Sequence, residues 1–229
     1  MKKLFMLFAV ALLASCSGDD DKNNNDGPQK LLTSVALNDD PDAGAISFQY
    51  DEKKNLKAIL EDGDVEYSFT YNNNNELTGI NDGNGESFFD IQYDNGQLSG
   101  YTAYGETYPI TYNEQTKKYV FNSTEIEVAL KGRNLGTVND IGGADRLNID
   151  YNDSYKGPMH SVPTKNIFLL SLFLNLYYYV STSPISAINE SGSIYTAENT
   201  YDEDGFVIQT IIKSGTQTQG TIKFQYSEL

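Results

Sequence analysis

The chain of 229 residues contains one cysteine, one histidine and no tryptophan. A lone cysteine cannot form an internal disulfide or a cysteine-based zinc site, and a lone histidine cannot supply a multi-histidine metal centre. Cations are scarce as well: 16 Lys plus Arg stand against 32 Asp plus Glu, for a formal charge of −16. Affinity for nucleic-acid phosphate is built from Lys and Arg, so this balance argues against a nucleic-acid partner and against a surface that clings to anionic lipid. No apolar run is long enough to cross a bilayer as a helix. What is present is enough for a folded core, since apolar residues make up 39% of the chain and 17 of its residues are tyrosine.

Catalytic constellations are hard to find. His160 sits in Gly157-Pro158-Met159-His160-Ser161-Val162-Pro163, a loop by its glycine and prolines, with no Gly-x-Ser-x-Gly elbow beside it. An EF-hand alignment that puts Gly205 at the sixth position gives Asp202 and Asp204 at the third and fifth. It leaves Thr200 at the first and Ile211 at the twelfth, so the calcium pattern fails. Asp39-Asp40-Pro41-Asp42 is a second acidic loop without ligand spacing. Paired carboxylates for glycoside hydrolysis cannot be nominated from sequence when acids are this abundant. There is no glycine-rich phosphate loop. These readings set the expectation of a protein that is not an enzyme and takes no cofactor or metal.

The amino terminus is more specific. Lys2 and Lys3 precede the apolar stretch Leu4–Leu13, then Ala14, Ser15 and Cys16, which reads as a secretory signal too short to span a ~30 Å hydrocarbon core. Leu13-Ala14-Ser15-Cys16 resembles the lipobox of bacterial lipoproteins. That resemblance implies a signal peptide at 1–15, lipidation of Cys16 and effectively permanent anchoring in a membrane. Residues 16–30 hold no apolar side chain beyond Cys16 and read as a flexible acidic tether. Its start, with Asp19, Asp20 and Asp21, resembles the surface-export signal of Bacteroidetes outer-membrane lipoproteins. The implied address is the outer membrane, with the domain facing the cell exterior.

Residues 31–229 carry a repeat of about twenty residues. Alternating apolar and polar residues end in Tyr, then Asp or Asn, a polar turn and an apolar residue. Copies are Ile46–Tyr50-Asp51 with Leu56, Tyr67–Tyr71-Asn72 with Leu77, and Phe89–Tyr93-Asp94 with Leu98. Others end at Tyr112, Tyr151, Tyr201 and Tyr226, and a degenerate copy runs from Ile126 to Leu135. Period-two alternation places Ile46, Phe48 and Tyr50 on one strand face. Asp62-Gly63, Asp82-Gly83, Asn95-Gly96 and Asp204-Gly205 supply the residues that tight turns need. The fold class expected is mainly β, a single domain formed by an antiparallel meander of repeated hairpins in a curved or rolled sheet. Sequence pattern alone leaves an open roll, a barrel and a flat meander equally available.

Tyr201-Asp202-Glu203-Asp204-Gly205-Phe206 and Tyr93-Asp94-Asn95-Gly96-Gln97-Leu98 resemble the YD repeats of Rhs-type and teneurin-type proteins, which form sheet walls. With the lipobox, the chain is similar to small YD-repeat-like Bacteroidetes lipoproteins of a domain-of-unknown-function family. Several copies lack the glycine, and the repeat motif in that family is structural, so no catalytic residue carries over.

The repeat lapses between Tyr151 and Tyr201. There Ile167–Val180 is apolar except for Ser171 and Asn175, and Thr164 precedes it as a plausible N-cap. Helical spacing puts Thr164, Ser171 and Asn175 on one narrow face. The expectation is one buried helix packed on the sheet within a helical insertion at about 163–180, with a pair of buried strands as the alternative. For function, the leading expectation is a non-catalytic binding or interaction module whose partner is a glycan, a protein or an apolar ligand. The second is a periplasm-facing carrier of a lipid or another apolar ligand, in which Ile167–Val180 would line a cleft. A glycan-degrading enzyme is the third.

Overall fold

The computed structural model describes residues 29–38, 46–143 and 145–229, in sixteen strands and two short helices. The strands are β1 (Lys30–Leu37), β2 (Ile46–Tyr50), β3 (Leu56–Glu61), β4 (Asp64–Tyr71), β5 (Leu77–Asp82), β6 (Ser87–Asp94), β7 (Gln97–Ala103) and β8 (Glu106–Asn113). They continue as β9 (Lys118–Phe121), β10 (Ile126–Lys131), β11 (Asn134–Asp140), β12 (Asp145–Tyr151), β13 (Ile185–Glu190), β14 (Ser193–Tyr201), β15 (Val207–Ser214) and β16 (Gln217–Glu228). Each pairs antiparallel with its sequence neighbour, and β1 pairs with β16, so the meander closes into a barrel. Closure is the feature that the sequence pattern left open. Lys30, placed at the end of the tether by composition, opens β1 and pairs with Glu228.

One local device recurs around the ring. At Tyr50, Tyr71, Tyr93, Tyr151 and Tyr226 the tyrosine lies opposite a buried apolar residue near the start of the next strand around the ring. Those partners are Leu56, Leu77, Leu98, Ile185 and Leu32. In every case a bulge directly precedes the tyrosine, leaving Lys57, Thr78, Ser99, Ser186 or Thr33 unpaired opposite it. A bulge bends its strand and increases local twist, so these bulges, with further register shifts in alternate pairings such as β3–β4 and β5–β6, curve the sheet until its edges meet. Each of these hydroxyls then reaches back over the preceding strand and donates to a backbone carbonyl. Tyr50 bonds Leu32, Tyr71 bonds Leu56, Tyr93 bonds Leu77, Tyr151 bonds Leu135 and Tyr226 bonds Val207, at 2.6 to 2.8 Å. The seam between the chain ends therefore uses the same contact as the interior of the repeat. Burial pushes the Tyr93 phenol up to about 12 and raises those of Tyr50, Tyr71, Tyr151 and Tyr226.

The Asp or Asn after the tyrosine builds the turn. Asp51 Oδ1 accepts from the amides of Lys53 and Asn55, Asn72 Oδ1 from Asn74 and Glu76, and Asp202 Oδ1 from Asp204 and Phe206. These side chains satisfy amides that would otherwise point into a tight loop without partners. Tyr112 breaks the pattern: it lies opposite Tyr119 without a bulge, its ring 4.8 Å from that of Tyr119.

The segment between β12 and β13 fills the lumen. The expected single helix is two: α1 (Phe168–Leu174) and α2 (Tyr177–Val180), separated at Asn175, whose φ of 56° and ψ of 30° are left-handed. Asn tolerates that conformation at low cost, and it turns the chain back on itself. Thr164 is not the N-cap; Ile167 occupies that position without a side-chain bond, and the Thr164 hydroxyl instead donates to Asn55 Oδ1. The expected polar face also divides, since Ser171 is buried and Asn175 exposed. Ile167, Phe168, Leu169, Leu170 and Val180 are at most 1% exposed, against Leu56, Leu77, Ile80, Val128 and Ile149 of the wall. Phe173 stacks on Phe89 with ring centroids 4.3 Å apart. Ile167–Leu170 and Val180 thus lie in the core, while Leu172, Leu176 and Tyr179 border smaller pockets.

Register fixes what faces outward. Phe48, Phe69, Ile91, Ile110, Phe121 and Phe224 are buried and point in. The residues alternating with them, such as Gln49, Thr70, Asp90, Gln92, Thr111, Lys223 and Gln225, are exposed and point out. Charged side chains at Glu127, Asp150, Glu198 and Lys213 continue this polar outer wall. Outward apolar residues, among them Val65 and Ile194, are scattered. A barrel that crosses a membrane carries an apolar outward band roughly 25 Å tall. This barrel has the opposite polarity. No helix among the described residues is long and apolar enough to cross a membrane either.

Candidate functional site

The two ends of the barrel differ chemically. At one end lie both termini of the described domain, the Tyr-Asp turns and the entry of the plug (residues 152–184). Here the plug is tied down by many polar contacts. Arg133 donates to the carbonyls of Val162 and Thr164 at 2.6 and 2.7 Å, Asn134 Oδ1 accepts from the Thr182 amide, and the Lys165 amide donates to Asn75. Asp202 and Asp204, which sequence spacing weighed for calcium, hold the Lys30 ammonium at 2.8 and 2.6 Å. These contacts raise the Lys30 pKa and lower that of Asp202, although burial opposes the Asp202 shift. They fasten the first residue of β1 to the β14–β15 turn, and the Lys30 amide donates to Ser161 of the plug.

His160 belongs to this structural scaffold. Its Nδ1 lies 3.2 Å from the Thr182 carbonyl, its ring meets Phe206 edge-on, and burial lowers its pKa. Among the described residues no nucleophile is hydrogen-bonded to it. Cys16, Asp19, Asp20, Asp21 and the Asp39–Asp42 loop lie outside the described residues.

The other end, distal to the termini, consists of tight turns with a strong acidic bias. The β3–β4 turn carries Glu61, Asp62 and Asp64, the β5–β6 turn Asp82 and Glu86, the β7–β8 turn Glu106, and the β11–β12 turn Asp140 and Asp145. Among the described residues, the cations nearest this rim are Arg146 and Lys213, and each is already paired, with Asp140 and Glu198. The Lys residues at 53, 54, 117, 118, 131, 156 and 165 all belong to the opposite end.

A groove of about 610 Å³ opens on this rim between the β3–β4 and β5–β6 turns, lined by Asp64, Glu66, Tyr67, Asp82, Asn84 and Phe88. Gly83 makes it possible, because a Cβ there would stand 2.0 Å from the Val65 carbonyl oxygen, so only glycine lets the two turns approach. The rings of Tyr67 and Phe88 sit 6.3 Å apart in its wall. Burial and the neighbouring Glu66 and Glu61 carboxylates raise the Tyr67 phenol.

Tyr104 stands at the tip of the β7–β8 turn on the same rim. It is 89% exposed and has a φ of 52°. A non-glycine residue in that conformation costs ~1–2 kcal/mol, which Asn or Gly would reduce. The other non-glycine positions with positive φ hold Asn, Asp, Lys, Glu or Ser. Nothing in the fold rewards an aromatic ring at this one. Sequence reading passed over Tyr104 and the groove, although Tyr104-Gly105 between two alternating runs was a visible turn with an unusual first residue.

No family model matches the chain, and no curated protein matches it. Solved structures with a similar course include a porin-like protein from Bacteroides uniformis, 14% identical over 86% of this chain and 98% of that one, with a TM-score of 0.41. Another is a porin-like protein from Bacteroides vulgatus, 12% identical over 87% of this chain and 100% of that one, with a TM-score of 0.47. A TcdB2-TccC3 structure aligns with 79% of this chain and 10% of its own, at 11% identity and a TM-score of 0.28. None of these likenesses identifies the protein.

Proposed function

We propose that this chain is a non-catalytic binding module, lipid-anchored at Cys16 to the outer membrane and facing the cell exterior, whose distal rim engages a cationic macromolecule. The observation that carries the reading is the combination of a polar outer wall with a filled lumen. A barrel built this way offers neither a membrane-spanning surface nor a conduit, which leaves its ends as the elaborated surfaces. The tether joins at Lys30, so an anchored barrel presents the opposite end outward. Residues 16–29, at ~3.3–3.6 Å each, reach at most about 50 Å from the bilayer. The acidic turns at the distal end would steer a basic partner by long-range attraction. Exposed Tyr104 and the Tyr67–Phe88 wall would supply the aromatic contacts that anchor interfaces and receive cationic side chains.

Titration with polylysine and with neutral polysaccharides, at two salt concentrations, tests this reading. Polylysine binding that weakens with salt, and weakens further when Asp64, Glu66 and Asp82 are replaced by Asn, Gln and Asn, is the expected result. Equal loss on neutralising Asp153 and Glu228 at the other end would remove the distal rim from consideration. Anchoring is read separately, by release of the protein from the membrane fraction on Cys16→Ala.

A further inference from the structure

The end of the barrel next to the termini holds a second cleft, of about 470 Å³, lined by Glu76, Gly96, Arg133, Lys165, Asn166 and neighbouring apolar residues. It lies where the β4–β5, β6–β7 and β10–β11 turns meet the plug entry. Its floor is Glu76, which is only 5% exposed. Glu76 Oε2 accepts from Asn72 Nδ2 at 2.6 Å. Oε1 accepts no hydrogen bond among the described residues, and it faces the space left by Gly96, where a Cβ would stand 3.8 Å away. Glu76 lines the cleft, so a hydroxyl of a bound molecule can reach its carboxylate.

The remaining walls supply complementary chemistry. Lys165 is exposed and makes no ion pair among the described residues, yet its backbone is fixed by the Asn75 carbonyl at 2.7 Å. Arg133 is positioned by the Val162 and Thr164 carbonyls. Asn166 donates from Nδ2 to the Tyr93 hydroxyl at 3.2 Å, which turns its amide and leaves Oδ1 as an acceptor. The cleft therefore combines one buried carboxylate, one amide oxygen and two cations.

We infer that this cleft binds a small acidic polyol, a hydroxy acid of the uronic-acid type. Its hydroxyls would donate to Glu76 Oε1 and Asn166 Oδ1, and its carboxylate would lie toward Lys165 and Arg133. The charges select this class. Two cations around one carboxylate leave a net positive cleft, which disfavours an ammonium and leaves a neutral sugar without its strongest contact. The inference is independent of the distal rim, so either can fail alone.

The experiment is a thermal-shift and calorimetric titration of the folded chain with D-glucuronate, D-glucose and glycine. Glucuronate should bind saturably in the millimolar range and roughly tenfold more tightly than glucose. Lys165→Gln, at an exposed position, should weaken it roughly tenfold without changing the circular dichroism spectrum. Glu203→Gln, on the β14–β15 turn, should leave it unchanged. Absence of glucuronate binding, tighter binding of glycine, or binding that Lys165→Gln leaves intact would each overturn the assignment.

Discussion

Replacing Leu169 by alanine is the sharpest probe of the filled lumen. Leu169 sits in α1 with 0% exposure, between Phe168 and Leu170, which are themselves at most 1% exposed. Truncating a fully buried leucine removes its transfer free energy and leaves a cavity, together ~3–5 kcal/mol where the surroundings cannot collapse. Collapse is hindered here, because the plug is fixed at its entry by Arg133, Asn75 and Asn55 and at its exit by Asn134. For a domain of this size each kcal/mol moves the midpoint by ~2–4 °C, so Leu169→Ala should lower Tm by about 6–20 °C. Calorimetry on the variant, with chemical denaturation to check that the m-value is unchanged, reads this directly. A shift under about 2 °C would mean that the segment is a loosely held liner of an open lumen, and the filled-core account would be wrong.

Two further outcomes follow from the same contacts. Tyr71→Phe leaves the Leu56 carbonyl without its hydroxyl donor and should cost ~1–3 kcal/mol, whereas Tyr112→Phe, at the position without a bulge or a carbonyl bond, should cost under ~0.5 kcal/mol; paired denaturation curves compare them. His160 has a folded pKa lowered by burial and by the nearby Lys156 and Arg133, so it is neutral in both states above its ordinary value of 6.5 and contributes nothing to pH dependence there. As pH falls below 6.5 the unfolded chain takes up the proton first and stability declines. His160→Gln should therefore flatten the loss of Tm measured between neutral pH and mildly acidic pH, and an unchanged slope would mean the imidazole is not desolvated.

Much of the wall was legible because its determinants are local. The alternation through Ile46–Tyr50 and Phe89–Tyr93 gave strands that the structure has at β2 and within β6, and Asp62-Gly63 and Asn95-Gly96 are hairpin turns with positive φ at both residues. Closure was not legible, since it depends on bulges at residues as different as Lys57, Thr78 and Ser99, and on the pairing of Lys30 with Glu228. Nothing in one repeat reports how far such curvature accumulates. The helix break at Asn175 was visible as a residue that tolerates left-handed backbone, but its role as the turning point of a plug depends on the lumen around it. Glu76 was passed over for the same kind of reason. It is one acid among 32 until the fold buries it, while Asp202 and Asp204 attracted notice by spacing and hold Lys30, 172 residues from Asp202.

The polarity of the barrel is tested most directly by expressing residues 30–229 without the preceding segment and asking what solvent the domain needs. The account predicts a folded β protein that stays in detergent-free buffer, does not partition into liposomes and gives no conductance steps in a planar bilayer. A domain that precipitates unless detergent is supplied, or that inserts and conducts, would contradict the polar wall and the filled lumen together.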